Sequence, residues 1–171
     1  YREIFNALKP GGLFATYEWV MTPAYDPANE KHRQIKFEIE RGDGLPELPP
    51  QADIRRCMEE VGFQVLDEFD VHVEASVNGT QIPWYATLQG STCSVSQFKH
   101  SKLGRFVTQL GVDVMETLRI APKGTSQTHD MLCRAADNLA LGGELGIFTP
   151  MMFVVGRKPG PGSGPGPAPG A

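Results

Sequence analysis

The sequence predicts an α/β fold, and two observations support this prediction. A helical pattern is followed by a strand-like pattern twice within the first 73 residues, with glycine at each junction. A β-branched and aromatic stretch, Ile147 to Val155, has the composition of one further strand. The 171 residues are 40% apolar and 21% charged, as in one ordinary globular domain or a domain plus a fragment of another.

The first helix–strand unit lies at the beginning of the chain. Ile4, Phe5 and Leu8 share one face of a helix that ends at Lys9-Pro10-Gly11-Gly12, because proline cannot continue a helix and glycine tolerates the turn. Leu13 to Trp19 follows with the small, apolar and aromatic residues of a strand. Since the chain begins at a tyrosine and already inside a helical pattern, we expect further residues upstream.

A second helix is predicted after this strand, from about Pro27 to Arg41. Asp26 can cap its first free N–H groups, and proline suits the first helical position. The helix is expected to end at Gly42 or Gly44, before a proline-rich loop over Leu45 to Pro50.

The second helix–strand unit has the clearest pattern. From Asp53 to Val61, apolar residues recur at i, i+3, i+4 and i+7, and Gly62 supplies a left-handed stop. Gln64 to Val73 then alternates with period 2, which predicts a strand.

Two further helices are predicted to form a hairpin. An apolar stripe at helical spacing ends at Ala121-Pro122-Lys123-Gly124, and another helix runs from about Thr125 to Gly142-Gly143. Packing in the core of the hairpin is the expected role of most of the stripe, which consists of Val107, Leu110, Val114 and Leu118.

The end of the chain contains one strand and a tail. Pro150 suits the start or edge of the strand from Ile147 to Val155. Residues Pro159 to Ala171 are only Pro, Gly, Ser and Ala, so they can bury nothing and are expected to be disordered.

Charge and composition exclude several classes of function. The net charge is -4 and the basic residues are scattered along the chain, so the sequence shows no basic patch that would bind nucleic acid. The three cysteines and four histidines have no metal-ligand or disulfide spacing, so we expect no metal site. No apolar run approaches the roughly 20 residues that span a bilayer.

Three places can carry chemistry, and each has a structural alternative. Glu18 and Trp19, beside Tyr17, would emerge at the carboxyl end of their strand, where open α/β sheets bind ligands, but strand aromatics and an ion-paired glutamate are equally ordinary. Asp43 lies in a Gly-Asp-Gly-Leu-Pro loop that suits a simple turn. Ile82-Pro83-Trp84-Tyr85 would either pack on the core or cover an apolar ligand.

These motifs, taken together, resemble the sterol 24-C-methyltransferases over about residues 1 to 159. Lys-Pro-Gly-Gly before a strand is common among class I methyltransferases, whereas Tyr-Glu-Trp-Val-Met-Thr followed by Gly-Asp-Gly-Leu-Pro is far more specific. The resemblance rests on Leu8–Gly12, Tyr17–Thr22, Glu40–Pro46, Ile82–Tyr85, Leu103–Arg105, Met115-Glu116, Ala121–Gly124, Gly142-Gly143, Phe148–Met152 and Arg157–Pro159.

The resemblance implies the carboxyl-terminal half of a Rossmann-like class I methyltransferase sheet. Leu13 to Trp19 would be its fifth strand and Gln64 to Val73 its sixth. Ile147 to Val155 would be the antiparallel last strand, inserted between them after a helical insertion. The implied divisions are the methyltransferase domain over 1–81, the family's carboxyl-terminal region over 82–158, and the disordered tail over 159–171.

The resemblance also implies the chemistry. S-adenosylmethionine would donate a methyl group to the side-chain double bond of a sterol, leaving a carbocation. Glu18 and Asp43 are the catalytic candidates, for charge stabilisation or proton removal. Tyr17, Trp19, Trp84 and Tyr85 are the substrate-binding candidates. The family's glycine-rich cofactor loop is not in this sequence, so the cofactor-binding residues are unknown and the chain alone is not expected to turn over.

A sterol substrate implies an enzyme at the periphery of a membrane, on the cytosolic face of the endoplasmic reticulum or on lipid droplets, and a homo-oligomer is possible. Two alternatives stay open at this point. One is a methyltransferase for another lipid or small metabolite, and the other is a non-catalytic module that binds sterols or lipids.

Overall fold

The computed structural model describes residues 1–77, 82–88 and 102–160. It confirms the predicted α/β class. The strands are β1 (Leu13–Met21), β2 (Gln64–Asp70) and β3 (Phe148–Arg157). The helices are α1 (Arg2–Ala7), α2 (Glu30–Asp43), α3 (Gln51–Val61), α4 (Val71–Val77), α5 (Lys102–Thr117) and α6 (Thr125–Glu144), with a 3₁₀ turn at Trp84–Thr87.

The chain forms two compact units. The first unit takes the described residues within Tyr1–Pro23, Pro49–Thr80 and Thr149–Ala171, and the second takes those within Ala24–Leu48 and Gln81–Phe148. The sheet therefore belongs to the first unit, apart from Phe148 at the start of β3, and α2 joins α5 and α6 in the second. The predicted tail from residue 161 onward lies outside the described residues.

The three strands form one sheet in the order β1-β3-β2. β3 runs antiparallel to β2, with Gln64 opposite Arg157 and Asp70 opposite Met152. At its other edge, the Lys158 backbone receives a hydrogen bond from Gly11 N at 2.8 Å, and it donates one to the Gly12 oxygen at 2.9 Å, so β3 is antiparallel to β1 as well. The predicted insertion of the last strand between the other two is confirmed.

The core of the first unit forms where α3 packs on one face of the sheet. Its buried residues are Val20, Ile54, Met58, Phe63, Met152 and Val154. A Cβ at Gly156 would lie 2.5 Å from the Met58 methyl carbon and 3.1 Å from the Phe63 ring, so glycine leaves room for these two core side chains against β3.

Lys158 fastens the end of β3 to α1. Its ammonium group donates to the carbonyl oxygens of Phe5 at 2.7 Å and Leu8 at 2.8 Å, and it lies 4.8 Å from the centre of the Phe5 ring. The carbonyl groups at the end of a helix lack partners within the helix, and a cation favours that end.

In the second unit, α2 packs closely on α6. A Cβ at Gly42 would lie only 2.1 Å from the Ala135 Cβ, so glycine is required at this contact. Ile35 and Ile39 of α2 are fully buried beside it.

The start of α2 differs from the prediction. Asn29 caps the helix by accepting hydrogen bonds from the backbone N–H groups of Lys31 and His32. The Asp26 carboxylate instead accepts from Ala28 N at 2.8 Å, which forms a turn before the helix. The helix ends at Gly44 in a left-handed conformation, as predicted.

The end of β2 also differs from the prediction. The strand stops at Asp70, and Val71–Val77 form α4 rather than the end of the strand. The Asp70 carboxylate accepts a hydrogen bond from His72 N at 2.8 Å, which satisfies a free N–H group at the start of the helix.

The predicted hairpin of α5 and α6 is confirmed, but the expected burial of its apolar stripe is wrong. Val107, Leu110, Val114 and Leu118 are all exposed. The opposite, more polar face of α5 packs on α6. No helix among the described residues is long and apolar enough to cross a membrane.

Candidate active site

The first three candidates lie on β1, which is longer than predicted. Val20 and Met21 are 0% and 2% exposed, and their burial extends the strand two residues past Trp19. Glu18 and Trp19 therefore lie within the strand rather than emerging at its end. Because side chains alternate along a strand, Glu18 points to one face of the sheet and Tyr17 and Trp19 to the other.

Two hydroxyl groups hold the Glu18 carboxylate. Tyr1 Oη donates to its Oε1 at 2.6 Å, and Thr16 Oγ1 donates to the same oxygen at 3.1 Å. Burial and the neighbouring Glu18 charge raise the pKa of the Tyr1 hydroxyl above its ordinary value, so this group stays a proton donor. The sequence allowed an ion pair between Glu18 and a Lys or Arg side chain. In the structure, the neutral hydroxyl groups of Tyr1 and Thr16 bind the Glu18 carboxylate instead.

The other face of the sheet carries a row of aromatic rings. The Tyr17 ring lies 5.1 Å from that of Phe153, which lies 5.3 Å from that of Phe69, so one ring from each strand forms the row. Tyr17 is 58% and Trp19 is 37% exposed. This face of β1 can therefore present aromatic surface to an apolar or cationic ligand.

Asp43 is the last residue of α2, just before the left-handed Gly44. Its side chain is exposed, and partial burial of the carboxyl group still raises its pKa above the ordinary value. A carboxylate with a raised pKa accepts a proton more readily near neutral pH, which is the property of a general base.

Trp84 and Tyr85 begin the 3₁₀ turn and pack edge to face, with ring centres 5.5 Å apart. The Trp84 ring also lies 5.7 Å from that of the buried Phe148. A Cβ at Gly143 would lie 2.3 Å from Tyr85 Cδ1 and 2.8 Å from Trp84 Cζ2, so both rings lie directly on α6. This geometry favours the interpretation that Trp84 and Tyr85 pack on the core. Their contact with a ligand stays a prediction.

The candidates are divided between the two units. Tyr17, Glu18 and Trp19 belong to the first unit, and Asp43, Trp84 and Tyr85 belong to the second. Within each unit, the structure adds partners that the sequence did not identify.

Four of these partners belong to the first unit. Thr16 could have been found, since it lies two residues before Glu18 and shares its strand face. Tyr1 is 17 positions from Glu18, and no local pattern links the two. Phe69 and Phe153 become neighbours of one another only through the order of the strands.

Comparison with known proteins identifies the family. Residues 95–160 match the family model described as sterol methyltransferase C-terminal. The chain is 42% identical over 159 residues to the cycloartenol-C-24-methyltransferase of Arabidopsis thaliana, covering 93% of this chain and 46% of that protein. It is 45% identical over 166 residues to the sterol 24-C-methyltransferase of Kluyveromyces lactis, covering 93% and 44%.

The chain belongs to the sterol 24-C-methyltransferase family.

It spans a little under half the length of these relatives and corresponds to their carboxyl-terminal region. The sterol 24-C-methyltransferase of Saccharomyces cerevisiae gives the same result, with 43% identity over 93% of this chain and 42% of that protein. Among solved structures, a candidate sarcosine dimethylglycine methyltransferase from Galdieria sulphuraria aligns with 92% of this chain at 16% identity and a TM-score of 0.49.

The family model begins after the candidate residues of this chain. Trp84 and Tyr85 precede residue 95, and so does all of β1. Glu18 and Asp43 lie outside the family model as well, so the alignments with whole relatives are what connect these residues to the family.

Proposed function

We propose that this chain is the carboxyl-terminal part of an enzyme that transfers a methyl group from S-adenosylmethionine to the side-chain double bond of a Δ24 sterol. The observation that supports this most directly is 42–45% identity over 93% of the chain to relatives named for methylation at sterol carbon 24. That span includes both units, and with them all six candidate residues.

The aromatic row supports a site for an apolar substrate. A sterol is rigid and carries few polar groups, so its site is expected to be lined mainly by apolar and aromatic side chains. Tyr17 and Trp19 present exposed aromatic surface on one face of β1, and Phe153 continues that surface onto β3. We propose that this face contributes to the sterol site.

The two carboxylates suit different tasks in this reaction. Methylation of an alkene leaves a positive charge on the sterol, and a proton is lost afterwards. Glu18 lies on the face of β1 opposite to Tyr17 and Trp19, where two hydroxyl donors fix it, so we propose that its negative charge stabilises the sterol cation across the strand rather than in direct contact. Asp43 has a raised pKa and an exposed carboxyl group, which supports proton removal.

S-adenosylmethionine supplies an electrophilic methyl group when bound, and its sulfonium is a cation. Two aromatic residues of β1 can bind such a cation. Aromatic faces attract cations, and Tyr17 and Trp19 are the exposed aromatic residues of β1. No glycine-rich nucleotide loop is present in the sequence, so we assign these residues only to the reacting end of the donor.

We also propose that the enzyme works at the cytosolic surface of the endoplasmic reticulum or of lipid droplets. The argument is chemical: a sterol is almost insoluble in water and partitions into membranes, so the enzyme must take it from a membrane surface.

The activity is tested with the full-length protein, labelled S-adenosylmethionine and a panel of Δ24 sterols. We expect label in the sterol fraction, and none with the corresponding side-chain-saturated sterols. Labelling of another lipid class instead would identify a different methyltransferase. Sterol binding without any labelling would indicate a binding module, and either result overturns the proposal.

The role of Glu18 is tested by Glu18→Gln in the full-length protein. The amide oxygen can still accept from Tyr1 and Thr16, so the urea midpoint should change little, while turnover should fall at least tenfold because the charge is lost. Tyr1→Phe is the control, since it removes a donor and keeps the carboxylate. Unchanged turnover in Glu18→Gln would remove Glu18 from the mechanism.

A further inference from the structure

The guanidinium group of Arg105 joins three elements of the second unit. The side chain starts on α5 and is 16% exposed. Its Nη1 pairs with the Asp137 carboxylate and donates to the Cys133 carbonyl oxygen at 3.2 Å, and both of these acceptors belong to α6. Its Nη2 donates to the Leu88 carbonyl oxygen at 3.2 Å, directly after the 3₁₀ turn. Arg105 therefore connects α5 and α6 to this turn.

The arrangement of the three acceptors suits arginine better than lysine. A guanidinium group holds five N–H donors in one plane, so its separate nitrogens can serve acceptors on different elements. A lysine ammonium group has its three donors on a single nitrogen. Partial burial of a charge is costly unless its donors find acceptors, and the contacts of Arg105 offset that cost. The geometry of the donors, and not only the charge, is therefore used at this position.

The backbone of Leu88 carries the contact of Arg105 into the turn. Its N–H donates to the Tyr85 oxygen at 3.0 Å, so hydrogen bonds hold Leu88 on both sides. Within the turn, the Thr87 hydroxyl donates to the Trp84 oxygen at 3.0 Å. A single turn of 3₁₀ helix has few hydrogen bonds of its own, and their geometry is poor. An anchor from outside the turn is therefore expected to determine how well it is ordered.

The aromatic rings at the start of the turn make a second contact with α6. Both Trp84 and Tyr85 lie against Gly143, as described above. Asp137, which pairs with Arg105, lies six positions earlier, about 9 Å along the helix. The turn is thus fastened to α6 at two separate places, by its rings at one end and through Arg105 at the other.

The ion pair and the hydrogen bond to the turn can be separated by mutation. The Asp137 side chain is 68% exposed, and ion pairs with such exposed partners contribute little to stability. The bond from Arg105 to the Leu88 oxygen is partly buried and does not involve Asp137. Removing the carboxylate therefore leaves the anchor of the turn in place.

We propose that Arg105 is a positioning residue for the sterol. It holds the turn so that the rings of Trp84 and Tyr85 keep one arrangement on α6 and present their accessible surface to the substrate. The proposal rests on the proposed function, in which both rings belong to the sterol site. Both residues are half-buried, so each retains surface for a ligand. A site that is ordered before binding loses less conformational entropy when a rigid ligand binds. Losing the anchor is therefore expected to weaken sterol binding rather than the transfer of the methyl group.

Arg105→Lys in the full-length protein tests this role, since it keeps the positive charge and most of the alkyl chain. We expect the KM for the Δ24 sterol to rise about tenfold, because a charge-assisted hydrogen bond to the turn is lost. The kcat and the KM for S-adenosylmethionine should change by less than about twofold. Asp137→Ala is the matched control: it removes the ion pair and keeps the bond to Leu88, so its KM for the sterol should equal that of the wild type.

Hydrogen exchange measured by mass spectrometry follows the turn without any turnover. In Arg105→Lys, the Leu88 amide should exchange about tenfold faster than in the wild type or in Asp137→Ala, because the turn opens more often. Amides of α6 near Gly143 should exchange at the same rate in all three proteins, which shows that the hairpin itself is intact.

Unchanged exchange at Leu88 in Arg105→Lys would show that Arg105 does not hold the turn, and it would overturn the proposal. Faster exchange with an unchanged KM for the sterol would overturn it as well, because the order of the turn would then not matter to the substrate. An equal rise in the KM values of both substrates, with a lower urea midpoint, would assign Arg105 to general stability instead. A wild type that methylates no sterol overturns the proposed function and this role together, so an active wild type distinguishes the two failures.

Discussion

Replacing Gly143 by alanine tests the aromatic contact of the second unit. The added methyl group would lie 2.3 Å from Tyr85 Cδ1 and 2.8 Å from Trp84 Cζ2, so both rings must move by about 1 Å to reach ordinary contact. Overpacking of this kind costs about 1–3 kcal/mol, and misplacing the edge-to-face pair of Trp84 and Phe148 costs about 0.5–1.5 kcal/mol more. Alanine recovers about 1 kcal/mol of helix propensity.

The expected net loss in free energy of unfolding is therefore about 0.5–3.5 kcal/mol. Urea unfolding followed by circular dichroism measures it. Tryptophan fluorescence provides a local probe, because Trp84 is one of only two tryptophans, and its emission should shift to longer wavelength when the ring leaves α6.

The matched control is Gly143→Ala in a Trp84→Ala/Tyr85→Ala background. There the methyl group meets no ring, so the same substitution should stabilise the protein by about 1 kcal/mol through helix propensity alone. A change of sign between the two backgrounds is the specific result. If Gly143→Ala stabilises both backgrounds equally, the two rings do not lie on Gly143 and the described contact is incorrect.

Two further predictions concern helix ends. Asn29→Ala should lower the free energy of unfolding by about 1 kcal/mol, because two backbone N–H groups of α2 lose their acceptor, while Asn29→Asp should retain it; equal urea midpoints for all three proteins would contradict this. The Glu116 carboxylate accepts hydrogen bonds from Ser126 N and Gly124 N, which lower its pKa. The contribution of these two hydrogen bonds to the free energy of unfolding is complete above the ordinary pKa of glutamate. It is lost as the pH falls through the lowered pKa of Glu116. Urea midpoints from pH 6 to 2 should therefore fall less steeply in Glu116→Gln than in the wild type, and parallel curves would refute the assignment.

The elements that could be predicted are those whose signals are local. Asp53 to Val61 shows helical spacing and a glycine stop, and the structure extends that helix by only two residues, to Gln51. The sequence does not decide the start of α2, because Asp26 and Asn29 are both good capping residues and only the backbone path shows which one caps. At the end of β2, alternation continued through Val71 and Val73, and the capping bond from Asp70 outweighed it.

The candidate residues can be named from the sequence, where their roles stay predictions, but their arrangement cannot be read from it. Periodicity shows that α5 has an apolar face, yet it does not say toward which neighbour that face turns. Likewise, Tyr17 and Glu18 are adjacent in sequence, but the strand places them on opposite faces. The hydroxyl donor that holds Glu18 comes from Tyr1, which is linked to it only through the packing of α1.

The position of β3 has a consequence for how the protein is made. β1 and β2 both pair with β3, which is the last described element to leave the ribosome. Until then both strands have unpaired edges, and exposed edges are templates for pairing with other chains. The first unit therefore completes its sheet only after the second unit has been synthesised. Contacts this distant in sequence form slowly. Newly made chains are thus expected to depend on chaperones during the interval in which the central strand is still missing.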